Sequence, residues 1–123
     1  MRDEGDIMKV AYVSGPYRAD TVNGIVQNIR RAEKVAVELW QMGYAVICAH
    51  KNTALLDGIC DDDVWMKGDI EILKRCDLVI MIPEWQRSQG SLHEWDAAQL
   101  SEIPTFYWPD DCELLKTFCR IGQ

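Results

Sequence analysis

The stretch Ser88-Gln89-Gly90-Ser91-Leu92-His93-Glu94 gathers two hydroxyls, a glycine and a carboxylate where the sequence reads as a strand-to-helix turn. Small side chains and free backbone N–H groups at such a turn make an anion site. Glu94 stands three residues after Ser91, so the pair also fits a capping box, and spacing alone favours the cap. A second carboxylate, Asp69 in Trp65-Met66-Lys67-Gly68-Asp69, lies on an amphipathic stretch that leads into the next strand. Alone, it reads as a solvated helix residue. The elements carrying Asp69 and Glu94 flank the same strand, however, so both carboxylates can converge at its carboxyl end. Cleavage of a glycosidic bond requires two such groups, one attacking or stabilising the sugar and one handling the leaving group's proton. Separation along the chain permits this arrangement without demonstrating it.

A weaker constellation is Ser14-Gly15-Pro16-Tyr17-Arg18, which follows an apolar run. Its glycine lets the backbone approach a ligand, and its hydroxyl and guanidinium suit a phosphate, although a tight turn with a solvated arginine fits equally well. His50 and His93 are too few and too scattered for a metal site. His50 follows a buried strand, where a structural role or a contact to a loop or ligand suits it. Trp65, Trp85 and Trp95 can stack on a base, with Trp85 singled out because it precedes Ser88.

These residues need elements to position them. Lys9 to Ser14 is a short apolar run closed by Gly15-Pro16, as expected of a buried strand ending in a turn. Beyond Thr21, Ile25, Ile29, Ala32, Ala36 and Leu39 share one helical face, and Gly43 stops the helix. Tyr44 to Ala49 is a second buried strand, parallel to the first after a right-handed crossover. Lys51 to Cys60 reads as loop. Asp61-Asp62-Asp63 offers caps for a helix through about Arg75, with Val64, Ile70 and Leu73 facing inward. Asp77 to Ile82 is the third strand, Glu84 to Gly90 a loop, Ser91 to Ser101 a helix and Pro104 to Trp108 a fourth strand. Asp110 or Asp111 caps a last helix carrying Leu114, Leu115 and Phe118.

The alternation predicts an α/β fold: a three-layer, doubly wound (flavodoxin-like or Rossmann-like) parallel sheet of four to five strands. It spans residues 1–123 as a single domain, with 1–7 as a flexible N-terminal extension. In such sheets ligands bind beyond the carboxyl ends of the strands, here Ser14 to Arg18, Ala49 to Thr53 and Pro83 to Glu94.

Composition narrows the partners. Against 20 Asp and Glu stand 13 Lys and Arg, a net charge of −7 that repels a nucleic-acid polymer, while local donors can still hold a small phosphorylated ligand. The hydrophobic share of 48% marks a chain that folds. No apolar run approaches membrane-spanning length, and the acidic start Met1-Arg2-Asp3-Glu4-Gly5-Asp6 is unlike a signal peptide, so a cytoplasmic protein without membrane partners is expected. Five cysteines without C-x-x-C spacing argue against disulfides and zinc, and read as small buried apolar residues.

Taken together, Tyr12-x-Ser14-Gly15-x-x-Arg18, Gly68-Asp69, Cys76-Asp77 and Ser88-x-Gly90-x-x-x-Glu94 resemble the nucleoside 2-deoxyribosyltransferase superfamily over about Lys9 to Tyr107. The resemblance is nearest to the 2'-deoxynucleoside 5'-phosphate N-hydrolase branch and to short bacterial and phage relatives. It implies Glu94 as nucleophile on C1', Tyr12 as the hydroxyl that orients it, and Asp69 as acid/base. Tyr12 otherwise reads as a core residue. It further implies that Ser14, Arg18 and Ser88 hold a 5'-phosphate, that no metal or cofactor is needed, and that a homodimer or larger assembly completes the site. The turn residues Gly15, Gly90 and Ser91 join the expected substrate or phosphate contacts, and His50 and Trp85 are the expected base contacts. The expected function is N-glycosidic cleavage or glycosyl transfer on a nucleoside or nucleoside 5'-monophosphate. Two rivals are a non-catalytic nucleotide-binding or sensing protein on the same fold and a phosphoribohydrolase. Of the latter's Gly-Gly-x-Gly-Thr-x-x-Glu loop only Gly90-Ser91-x-x-Glu94 matches.

Overall fold

Four short strands, β1 (Val10–Ser14), β2 (Ala45–Cys48), β3 (Leu78–Met81) and β4 (Thr105–Tyr107), form one sheet in the order β2-β1-β3-β4. Every pairing is parallel. The computed structural model describes residues 7–120, and the expected N-terminal extension lies outside them apart from Ile7. Five helices connect and cover the strands: α1 (Val22–Met42), α2 (Ala49–Asn52), α3 (Asp62–Leu73), α4 (Gln89–Leu100) and α5 (Cys112–Phe118). The three-layer, flavodoxin-like α/β fold expected from the sequence is the fold observed.

Strand alternation divides the core. Ala11, Val13, Leu78 and Ile80 pack on one face against Ala32, Val35, Ala36 and Leu39 of α1 and Leu115 of α5. Tyr12, Val79 and Met81 face the opposite way, towards Leu73 of α3 and Ala98 of α4. The chain leaves β1 for the α1 face and β3 for the α4 face, and these two strands are neighbours. Adjacent crossovers to opposite faces open a crevice at the carboxyl ends of β1 and β3, which places the site.

Local signals fix α1 at both ends. Thr21 caps it, Oγ1 accepting from the Gly24 N–H at 3.0 Å. Gly43 ends it at φ 112°, a left-handed conformation that suits glycine, and Tyr44 N–H donates back to the Leu39 carbonyl.

Several expectations need correction. Val64 is exposed, because the buried side of α3 runs through Met66, Asp69, Ile70 and Leu73, out of phase with Val64. Residues 49–52 are helical, so the loop after β2 begins later than Lys51. Leu114 is exposed because α5 docks through Leu115, Phe118 and Cys119. Cys76 and Cys119 are buried as expected, whereas Cys48 and Cys112 are half-buried and Cys60 is exposed; all five are free thiols. Among the described residues no helix is long and apolar enough to cross a membrane.

The β1 turn depends on close packing. A Cβ on Gly15 would lie 2.2 Å from Ile82 Cγ1, just beyond β3. Gly15→Ala is therefore expected to cost about 1–3 kcal/mol of stability, measured by urea unfolding. Combined with Ile82→Ala, which removes the obstructing atoms, the two changes should cost less than their sum. Strict additivity would show that this approach does not constrain the turn.

Candidate active site

Glu94 is the buried charge of the crevice, 7% exposed on the inner side of α4 with Ser91 and Ala98. Both carboxylate oxygens are held from β1. Ser14 Oγ donates to Oε1 at 2.6 Å, and the Tyr12 hydroxyl donates to Oε2 in a short hydrogen bond. Tyr12 and Ser14 reach the same group because side chains two apart in a strand share a face. β1 is paired on both sides, with β2 and β3, so the donors stand on an interior strand of the sheet.

The electrostatics follow from this burial. Desolvation pushes Glu94 up to about 7, the hydrogen bonds from Ser14 and Tyr12 pull against that rise, and the charge of Asp69 adds to it. Burial also lifts Asp69 to about 6. Tyr12 is raised well above an ordinary phenol, by burial first and then by the charges of Glu94 and Asp69. The phenol thus keeps its proton and serves as a donor. Asp69 and Glu94 line one cavity of about 770 Å³ and influence each other electrostatically.

The start of α4 differs from the expected capping box. Ser88, not Ser91, is the N-cap: its Oγ accepts from the Ser91 N–H at 3.2 Å, and the helix begins at Gln89. Glu94 therefore lies in the second turn, past the orphan N–H groups a capping carboxylate would reach. Ser91 Oγ is buried and has no hydrogen-bond partner among the described residues.

The family described as a domain of unknown function, DUF4406, matches residues 8–107. The chain belongs to it. Among curated proteins nothing matches. The matched part of this DUF4406 chain contains all four strands, both carboxylates and the residues that hold Glu94.

The DUF4406 cavity gathers most residues singled out in the sequence. Gly15, Arg18, His50, Asp69, Ser88, Gly90, Ser91 and Glu94 all line it. Their roles shift in places. Ser14, expected beside a phosphate, spends its hydroxyl on Glu94. Arg18 is exposed and ion-paired with Asp62 at the start of α3. His50 is buried with Nε2 2.9 Å from the Pro16 carbonyl, which ties α2 to the β1 turn, and burial lowers its pKa. Trp85 does not line this cavity: it stacks on Trp95 at 5.8 Å and lies 5.9 Å from Tyr107. Trp65 is the tryptophan that does line it.

Other lining residues escaped the sequence reading. Asn28 donates through Nδ2 to the carbonyls of Tyr17 and Arg18, at 3.0 and 3.3 Å, bracing the turn after β1. An asparagine inside the apolar stripe of α1, between Ile25 and Ala32, is a signal for such a role. Tyr17 OH donates to Asp57 at 2.7 Å and accepts from Leu55 N–H at 2.9 Å, closing the opposite wall. Arg31 and Arg87 also reach the cavity.

Glu94 makes the fold sensitive to pH. Its folded pKa of about 7 lies above its ordinary 4.5, so its contribution to stability is complete below about pH 4.5 and lost as pH rises through about 7. The difference is worth on the order of 3 kcal/mol. Glu94→Gln is expected to flatten the stability profile between about pH 5 and pH 8 by roughly that amount, measured by urea titrations across pH. Identical profiles for both proteins would show that Glu94 does not titrate there.

Proposed function

We propose that the cavity cleaves, or transfers across, the N-glycosidic bond of a nucleoside or nucleoside 5'-phosphate, with Glu94 as nucleophile. The observation that carries this reading is the anchoring of Glu94 by two β1 hydroxyls on a cavity that Asp69, raised by burial to about 6, also lines. Helix capping does not account for Glu94, since Ser88 fulfils that role. The motif resemblance to nucleoside 2-deoxyribosyltransferases supports the same assignment of Glu94, Tyr12 and Asp69. A cavity of about 770 Å³ has the capacity for a ligand of nucleotide size.

In the first step a Glu94 oxygen bonds to C1' while the C1'–N bond breaks. Its electrons leave with the base, and Asp69 delivers a proton to the departing nitrogen. In the second step water, or the nitrogen of another base, attacks C1', Asp69 takes the attacking group's proton, and the Glu94 ester bond breaks to restore the carboxylate. Tyr12 and Ser14 fix the carboxylate without competing for a proton. The chemistry draws on side chains alone.

The direct test incubates the protein with ribo- and deoxyribonucleosides and their 5'-monophosphates and measures released base by chromatography. Release by the wild type, reduced roughly 10³-fold or more in Glu94→Gln, is the expected outcome. A nucleotide that raises the melting temperature without any base release would favour a binding protein instead. Activity requires one proton on the Asp69–Glu94 pair, so kcat/KM should peak between about 6 and about 7. It falls on the acid side as the pair takes up a second proton and on the basic side as it loses its last. Because Glu94 is raised further than Asp69, the productive arrangement, Glu94 ionised and Asp69 protonated, is the minor form of the one-proton state. Asp69→Asn should abolish the basic limb; a basic limb retained in that variant would exclude Asp69 as the acid.

The homo-oligomer belongs to the same reading. Exposed Val37 and Trp40 on α1 and Leu114 on α5 leave apolar surface for a second copy. Sedimentation showing only a 14.1 kDa species at micromolar concentration would refute the assembly.

A further inference from the structure

Two arginines of the cavity converge on one carboxylate. Arg31, from α1, places Nη1 3.7 Å from Glu84 Oε2, and Arg87, just before the Ser88 cap of α4, places Nη1 3.5 Å from Oε1. Each guanidinium takes a different oxygen. Both contacts are longer than the roughly 2.8 Å of a close charge-assisted hydrogen bond, so Glu84 fits the space loosely. Its backbone is left-handed, φ 72°, a conformation a glutamate adopts at a cost. One negative charge faces two positive ones, leaving a local surplus of positive charge in a chain whose net charge is −7. In the same cavity Ser91 Oγ, 1% exposed, has no partner among the described residues.

We propose that Arg31 and Arg87 form the seat for a phosphoryl group of the ligand and that Glu84 is its built-in competitor. The inference rests on reading the cavity as a nucleotide site, and it names the part of the ligand recognised at the α4 rim. A phosphoryl dianion carries up to two negative charges and three acceptor oxygens, so it satisfies both guanidiniums at closer range than a planar monoanion. Glu84 is half-exposed and can give way into solvent. This seat is distinct from Arg18, whose guanidinium is committed to Asp62 on the α3 wall. An uncharged nucleoside gains nothing from displacing Glu84, so the pair of arginines selects for phosphorylated ligands.

The test is a titration with inorganic phosphate, followed by calorimetry and melting temperature, with potassium chloride at matched ionic strength as the control. The wild type should be stabilised by phosphate and not by chloride. Arg31→Ala and Arg87→Ala should each weaken phosphate binding about tenfold, and Glu84→Gln should tighten it about threefold. Because all three side chains are exposed, each variant should melt near the wild-type temperature without phosphate. The proposal is overturned by a wild type that does not bind phosphate or by arginine variants that bind it unchanged. It is equally overturned by a Glu84→Gln that binds more weakly, or by binding lost in Arg18→Ala and kept in Arg31→Ala. The two readings fail separately: absence of base release would sink the glycosidic mechanism and leave this titration standing, whereas phosphate binding indifferent to Arg31 and Arg87 would sink only the seat.

Discussion

A carboxylate buried against the end of a central β-strand is costly unless its oxygens are satisfied, and much of this molecule is arranged around that cost. Tyr12 and Ser14 satisfy both oxygens of Glu94, yet desolvation still outweighs their help and keeps the carboxyl near neutrality in pKa. The donors must come from alternate positions of one strand. That strand must be flanked on both sides, and α4 must present its second turn inward. Moving the N-cap from Ser88 to Ser91 would bring Glu94 within reach of its own helix N–H groups and convert a tertiary contact into a local one. The start of α4 thus decides whether Glu94 belongs to a helix or to a site.

Topology then decides what surrounds it. β1 and β3 are adjacent and their exits diverge, so Gly15 and Glu84 stand at opposite lips of one crevice. The close approach of Gly15 to Ile82 brings these lips together. Each guanidinium of the crevice faces a carboxylate: Arg18 meets Asp62, while Arg31 and Arg87 share Glu84. In an acidic chain this pairing keeps guanidinium groups at the cavity without the broad positive surface that a nucleic-acid polymer requires.

The strands and α1 were legible in the sequence because their signals are local: continuous apolar runs closed by Gly or Pro, and a stripe between Thr21 and Gly43. The phase of short helices was not. Ser88 and Ser91 are both competent caps, and only the docking of Glu94 onto β1 distinguishes them. In α3, Val64 is the more apolar choice for the inner side, but the cavity draws Met66 and Asp69 towards it instead. Tyr12 sits in an apolar run and shows nothing of the carboxylate its hydroxyl meets across the fold. Asp69 and Glu94 were visible as a pair only as a possibility of topology, and the placement of both at one cavity depends on the order β2-β1-β3-β4.

Trp85 shows how a residue outside the cavity can still shape it. Its ring packs on Trp95 of α4 and beside Tyr107 of β4, and Trp95 Nε1 donates to the Tyr107 hydroxyl at 2.9 Å. Aromatic packing thereby fixes the short turn that carries Glu84, Arg87 and Ser88. The facing wall, through Leu55, Asp57 and Asp62, is held by the Tyr17 hydroxyl and by the exposed Arg18 pair. Exposed polar contacts contribute less than packed rings, so the two walls differ in rigidity. The wall built on aromatic packing bears Arg87, whereas Arg31 reaches the cavity from α1. The polar wall, held by exposed hydrogen bonds and one exposed ion pair, is the one that yields at less cost.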